Sequence, residues 1–139
     1  MTQNRFLLDK SAMARWPKPA VAPILDELSD RGLLAVCTAV EIEVIHSART
    51  AGDAERARRL LHGFDWLAMP DEVWDRAANI QMQAVRKGFH RALSMADLLI
   101  AATAERHGAT VLHYDGDFDM IAAVTGQPTA WVVPAGTAD

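Results

Sequence analysis

An α/β fold, three layers with a central parallel sheet of about five strands flanked by helices, is what this sequence predicts, on three observations. Short β-favouring runs alternate with helical patterns along the whole chain, the arrangement that sets strands side by side with helices covering both faces. Glycines stand where helical patterns stop, at Gly32, Gly88 and Gly108. The 139 residues, half of them apolar, suffice for one domain over 1–139 with a core of its own, and no repeat, low-complexity tract or linker divides them.

The elements follow in order. "RFLL" (5–8) is a first strand, and the proline cluster "WPKPAVAP" (16–23) is a loop that opens a helix over "VAPILDELSDRG", stopped by Gly32. "LLAVC" (33–37) is the second strand. Two helices come next, "VEIEVIHSART" (40–50) and "GDAERARRLLHGF" (52–64), then a third strand in "DWLAM" (65–69). A long helix, "DEVWDRAANIQMQAVRKG", closes at Gly88, and another, "ADLLIAATAERHG", at Gly108. "TVLHY" (110–114) is a strand, "DFDMIAAVTG" (117–126) a short helix and "AWVV" (130–133) the last strand. In such sheets ligands bind outside the carboxyl ends of the strands, so the acids at those ends are the ones to examine.

Composition narrows the setting. Cys37 is the only cysteine, so no internal disulfide can form and a reducing cytoplasm is expected. The first ten residues hold an apolar run of only "FLL", which makes no signal peptide, and no later stretch approaches a membrane span. Net charge is −4, with 14 basic and 18 acidic residues. A nucleic-acid binder usually carries a basic footprint, so the total alone argues mildly against one. Cations bound by a few carboxylates in one site would, however, leave the rest of the surface near neutral.

The acids carry the chemical signal. Asp9 follows the first strand; Asp115, Asp117 and Asp119 follow "TVLHY". If those two strands are neighbours, Asp9 and Asp115 come side by side and repel unless a cation intervenes or one is protonated. Asp97 opens the helix that leads into that strand, and Glu41 and Glu43 lie on the helix after the second strand. All of these elements begin or end on one rim of the sheet. The five histidines (46, 62, 90, 107 and 113) show no paired zinc spacing. Oxygen ligands alone favour Mg²⁺ or Mn²⁺, which neutralise charge building on a phosphate and acidify water.

Each acid also has a purely structural reading. "SMAD" (94–97) and "TAVE" (38–41) fit capping boxes, Asp9 and Asp115 suit turns, and Asp117 and Asp119 suit a helix N-terminus. Five such coincidences on one rim are much rarer than any one of them. Glu41 and Glu43 lie about 200° apart around a helix, so only one can face the site. Glu41 has the capping position and Glu43 has no structural task, which leans toward Glu43.

With these residues in view, the sequence resembles the PIN-domain ribonucleases, and among them the VapC-type toxins of type II toxin–antitoxin pairs. The resemblance lies in "LLDKSA" (7–12), "EVIHSA" (43–48), "ADLLIAATA" (96–104) and "LHYDGDFD" (112–119), in the family's order and near its spacing. It implies a PIN-like fold and a Mg²⁺- or Mn²⁺-dependent endoribonuclease. Asp9, Glu43, Asp97 and Asp115 would form the catalytic and metal-binding set, with Asp117 near them, and Glu43 is selected over Glu41 because "EVIHS" matches the family's glutamate. Ser11 matches the hydroxyl residue that supports the site. Lys10 departs from the threonine of many members and either approaches a substrate phosphate or points into solvent, the second being favoured. The implied reaction is in-line hydrolysis of an RNA phosphodiester, with no protein nucleophile. A cognate antitoxin, occupying the cleft with a cation of its own among the carboxylates, and a homodimer are the implied protein partners.

Two basic clusters would suit an RNA backbone, "RTAGDAERARR" (Arg49, Arg56, Arg58, Arg59) and "RKGFHR" (Arg86, Lys87, His90, Arg91). The second lies just before Asp97, and Phe89 with His90 would be placed to stack on an unpaired base. Equally, both are ordinary solvated helix ends. Trp16, Trp66 and Trp74 read as core or dimer contacts and Trp131 as packed. A metal-dependent phosphatase is a weaker alternative, because such enzymes place Asp-x-Asp after the first strand and Asp9 is followed by "KSA". A binding-only PIN module is the other alternative, although it would be expected to have lost one of the four acids.

Overall fold

The computed structural model describes residues 4–139; the first three residues, part of the stretch read as lacking a signal peptide, lie outside the described residues. Five strands, β1 (Phe6–Leu8), β2 (Leu34–Val36), β3 (Asp65–Trp66), β4 (Thr110–His113) and β5 (Thr129–Trp131), form one parallel sheet in the order β3-β2-β1-β4-β5. β1 is central because its residues are apolar on both faces: Leu7 and Leu8 point oppositely and both are fully buried. Leu7 belongs to one apolar cluster with Val36, Ile80, Ile100 and Phe118, and Leu8 to a second with Val21, Leu25, Leu112 and Val132.

Among the described residues seven α-helices surround the sheet: α1 (Lys10–Met13), α2 (Ala22–Asp30), α3 (Thr38–His46), α4 (Ala51–Leu61), α5 (Asp71–Lys87), α6 (Met95–His107) and α7 (Asp117–Thr125). Every residue of α6 from Asp97 to Ala104 is buried. That stretch is therefore covered by α3, α5, α7 and the sheet, and offers no polar face to water. α1, α2 and the segment after β5 cover the other side through Ala12, Val21, Leu25, Val132, Val133 and Ala138. α5 and α6 stop at Gly88 and Gly108, whose φ values of 83° and 65° favour glycine.

The strand–helix alternation and the five-stranded parallel sheet are as the sequence predicts. β3 is shorter than expected: Asp65 and Trp66 are exposed on the sheet edge, and pairing ends once Leu67 has donated to the Val36 carbonyl. The one-turn helix α1 was not anticipated, since four residues carry no periodicity; the side chain of Asp9 caps it.

Ile100 is fully buried at the middle of α6, whereas Leu60 on α4 is 63% exposed. Ile100→Ala is expected to cost about 2–5 kcal/mol in urea unfolding, and Leu60→Ala about 0.5 kcal/mol or less.

Candidate metal centre

β1 and β4 pair directly, and the chain's strand order reverses between them, which opens a crevice beyond their carboxyl ends. Asp9 is the first residue past β1. Its N–H continues the ladder to the Leu112 carbonyl at 3.0 Å. Its Oδ2 accepts the Ser11 N–H at 2.9 Å and the Ser11 hydroxyl at 2.6 Å. The Ser11 oxygen accepts the Tyr114 N–H at 2.8 Å, so one hydroxyl joins the ends of both strands. Asp9 Oδ1 is buried and has no hydrogen-bond partner among the described residues.

Asp115 lies two residues past β4. Its Oδ1 accepts the Asp117 N–H at 2.9 Å, a turn that opens α7. Its own N–H is donated to Nδ1 of the buried His113 at 3.1 Å. That bond requires an unprotonated Nδ1, and burial pushes the His113 pKa down, which keeps the ring neutral. Asp97 is the third residue of α6 and completes a capping box: Ser94 N–H donates to its Oδ2 at 3.2 Å, and its N–H donates to the Ser94 hydroxyl at 3.0 Å. The capping role and the place in the crevice thus belong to the same side chain.

Carboxylate oxygens of Asp9, Glu43 and Asp97 lie within 4.8 Å of one another, and so do those of Asp97, Asp115 and Asp117. Asp97 is common to both sets. Burial first, then the charges of Asp9 and Asp115, push the Asp97 carboxyl up to about 7 against the opposing Ser94 hydrogen bonds. Asp9 is raised by burial, with Ser11 opposing and Asp115 adding. Glu43 is raised by burial and Asp9, and Asp117 by burial and Asp115. These groups therefore resist ionising together without a positive charge among them. An all-oxygen set with one buried, unpartnered carboxylate oxygen fits a hard divalent cation.

Glu41 lies outside both sets. It faces α4, with Oε2 3.6 Å from Arg58 and 3.4 Å from His62. Asp119 is also outside and accepts the Trp131 indole N–H. Lys10 is half-buried, and its charge opposes the rise in the Glu43 pKa, so it lies on the crevice side. Lys87 and Arg91 are exposed and His90 is half-buried in a 3-10 turn, His90–Ala92. Phe89 does not stand free for stacking on a base. Its N–H donates to the Ala84 carbonyl at the end of α5, and its ring packs on the core. In the other basic cluster, Arg56 and Arg58 are engaged by Asp53 and Glu41. Trp16 and Trp131 pack against Phe64 and His113 as expected. Trp74, one position off the buried face of α5, is 51% exposed and is not a core residue. His113 under Asp115 and the Tyr114 N–H on Ser11 were not singled out from the sequence; the only sign of the first was the spacing of "HYD".

The sequence profile of the PIN domain matches residues 6–124. The chain belongs to the PIN domain family. This PIN domain is 47% identical over 136 residues to Ribonuclease VapC21 of Mycobacterium tuberculosis, covering 97% of this chain and 99% of that one. It is 42% identical to Ribonuclease VapC51 of the same organism, covering 97% and 98%. Among solved structures, the DNA-bound VapBC complex from Salmonella typhimurium contains a chain that matches this PIN domain with a TM-score of 0.75 at 17% identity, over 94% of this chain and all of that one. VapBC2 from Rickettsia felis matches with 0.72 at 13% identity, over 91% and 97%. At those identities the likeness is one of fold.

Ser11 holds Asp9 without belonging to either set. Ser11→Ala should weaken Mn²⁺ binding by about 10–100-fold in calorimetric titration. Carboxylates whose pKa values are raised by folding keep protons that the unfolded chain has already lost, so between about pH 4 and about pH 7 the native state holds more protons. Stability of the metal-free protein should therefore fall as pH rises through that window, with Tm in EDTA lower at pH 8 than at pH 5. Mg²⁺ or Mn²⁺ should raise Tm much more at pH 8 than at pH 5.

Proposed function

We propose that this chain is a divalent-metal-dependent endoribonuclease that hydrolyses RNA phosphodiester bonds and acts as the toxin of a toxin–antitoxin pair. What carries the reading is the carboxylate cluster around Asp97, at the strand switch of a PIN domain that shares 47% of its residues with a VapC ribonuclease over nearly its whole length. In this reading residues 1–139 act as a single nuclease domain in the cytoplasm; among the described residues no helix is long and apolar enough to cross a membrane.

Asp9, Glu43, Asp97 and Asp115 are the catalytic set and, with Asp117, hold Mg²⁺ or Mn²⁺. The shared position of Asp97 allows one ion or two. A bound cation supplies neutralisation of the charge that builds on the scissile phosphate and acidifies attacking water. The chain's own residues do the rest. Ser11 fixes Asp9, the Ser94 cap fixes Asp97, and the His113 ring and the Asp117 N–H fix Asp115. Such preorganised carboxylates leave little to reorganise when substrate arrives. In this reading Lys10, on the Glu43 side of the crevice, meets a substrate phosphate, and Lys87, His90 and Arg91 extend the path of the RNA backbone along the end of α5 and the following turn.

A structured cellular RNA, tRNA or rRNA, is the proposed substrate, and a cognate antitoxin and a second copy of the chain the protein partners. Ile42, Trp74 and Met95, 65%, 51% and 72% exposed where α3, α5 and α6 meet around Leu99, are apolar surface suited to such contacts.

Purified protein incubated with total RNA in Mn²⁺ or Mg²⁺ should yield discrete fragments, abolished by EDTA and reduced at least about a thousandfold by Asp97→Asn. The same variant should melt higher than wild type in EDTA at pH 8, because it removes a buried charge. Intact RNA with a folded, metal-loaded protein would favour the binding-only alternative.

A further inference from the structure

The segment after β5 is tied to the back of Asp9 by contacts that the proposed reaction does not use. Arg15, just past α1, donates from Nε to the Ala138 carbonyl at 2.9 Å and from Nη1 to the Ser11 carbonyl at 2.8 Å. Its guanidinium carbon lies 4.3 Å from the centroid of the Tyr114 ring. The Tyr114 hydroxyl accepts the Ala138 N–H at 2.9 Å and donates to Asp139 Oδ1 at 2.8 Å. The Tyr114 N–H is the donor to Ser11 Oγ, and Ser11 Oγ donates to Asp9 Oδ2. The contacts therefore run unbroken from Ala138 to the carboxylate whose other oxygen, Oδ1, has no partner.

We propose that Arg15 and Tyr114 are positioning residues, which clamp the segment around Ala138 as a strap and through it set the direction in which Asp9 presents Oδ1 to a cation. A helix of four residues such as α1 has almost no stability of its own, so the direction of Ser11 depends on what pins it from outside. Ser11 has a single hydroxyl proton, which it donates to Asp9, and its oxygen accepts the Tyr114 N–H just past β4. Arg15 fixes the carbonyl of the same residue. Two carbonyls in line with one guanidinium fork and an aromatic ring under its face is an arrangement that lysine cannot reproduce. Ala138 is buried and Tyr114 is 7% exposed, so the strap is packed as well as hydrogen-bonded. Trp131 packs on Tyr114 as well, edge to face with ring centroids 5.3 Å apart.

The inference rests on the metal-centre reading, and the test separates the two. Metal-free wild type, Tyr114→Phe, Arg15→Lys and the double variant are titrated with Mn²⁺ by calorimetry, with Tm and cleavage kinetics measured alongside. Tyr114→Phe keeps the ring and its packing, and Arg15→Lys keeps the charge, so a loss reports geometry. Each single variant should bind Mn²⁺ about twofold to tenfold more weakly, the size of a lost hydrogen bond. kcat should fall with it while KM for RNA stays unchanged. The double variant should be no weaker than the worse single one, because both act on one strap. Mn²⁺ affinity equal to wild type in both single variants, whatever their Tm, would show the strap to be structural only and overturn the proposal, as would a rise in KM alone. A wild-type protein that takes up no Mn²⁺ would instead remove the metal centre itself, and the strap's role with it.

Discussion

The two oxygens of the Asp9 carboxylate have unlike surroundings, and the rest of the site is arranged around that difference. Oδ2 is saturated by the backbone and hydroxyl of Ser11, whereas Oδ1 is buried with no partner. A buried carboxylate oxygen left without a donor is costly, and here the cost is raised by Glu43, Asp97 and Asp115 nearby. Such a cluster persists because the apolar sheet and α6 are strong enough to hold it. Repulsion among the acids is the counterpart of affinity for a cation: the same fields that raise the carboxylate pKa values attract a divalent ion.

Topology makes the arrangement possible. A parallel sheet whose order reverses between β1 and β4 sends two strand ends toward one crevice, with Asp9 and Asp115 on them. α6 brings Asp97 to the same place, and the acid lies in its first turn, where the helix macrodipole and the Ser94 cap favour a negative charge. Asp97 therefore has a structural and a chemical reason to be an acid, and the two readings that the sequence offered are not rivals. Asp9 is similar, since it caps α1 and faces the crevice at once.

Much of this was legible in the sequence because its signals are local. Strand–helix alternation, glycine stops and the capping box of Ser94 and Asp97 each span a few residues, and the structure contains them; "TAVE" makes no capping box, because α3 takes Cys37 as its N-cap, already includes Thr38 and has no side-chain cap. The strand-end argument and the family resemblance gathered the acids into one patch; in the structure Asp9, Glu43, Asp97, Asp115 and Asp117 fall into two sets that share Asp97. Glu41 and Glu43 were not separable by periodicity alone; what separates them is α4, whose Arg58 and His62 face Glu41. Phe89 was misread as a free aromatic because the chain reversal at Gly88 folds it back over the last turn of α5, where a hydrophobic contact normally accompanies such a cap. Trp74, read as a core or dimer contact, is kept out of the core because the buried face of α5 runs through Val73, Ala77, Ile80 and Ala84. Distant contacts outside the strand-end pattern had no signal. Arg15 and Ala138 are 123 positions apart, and no periodicity joins them.

The most direct test of the account is where a cation sits. Crystals of the protein grown with Mn²⁺ and measured at the manganese absorption edge should show an anomalous peak between the carboxylates of Asp9, Asp97 and Glu43 or Asp115, with Asp9 Oδ1 among its ligands. A peak only at surface acids, with Asp9 Oδ1 still unpartnered, would contradict it.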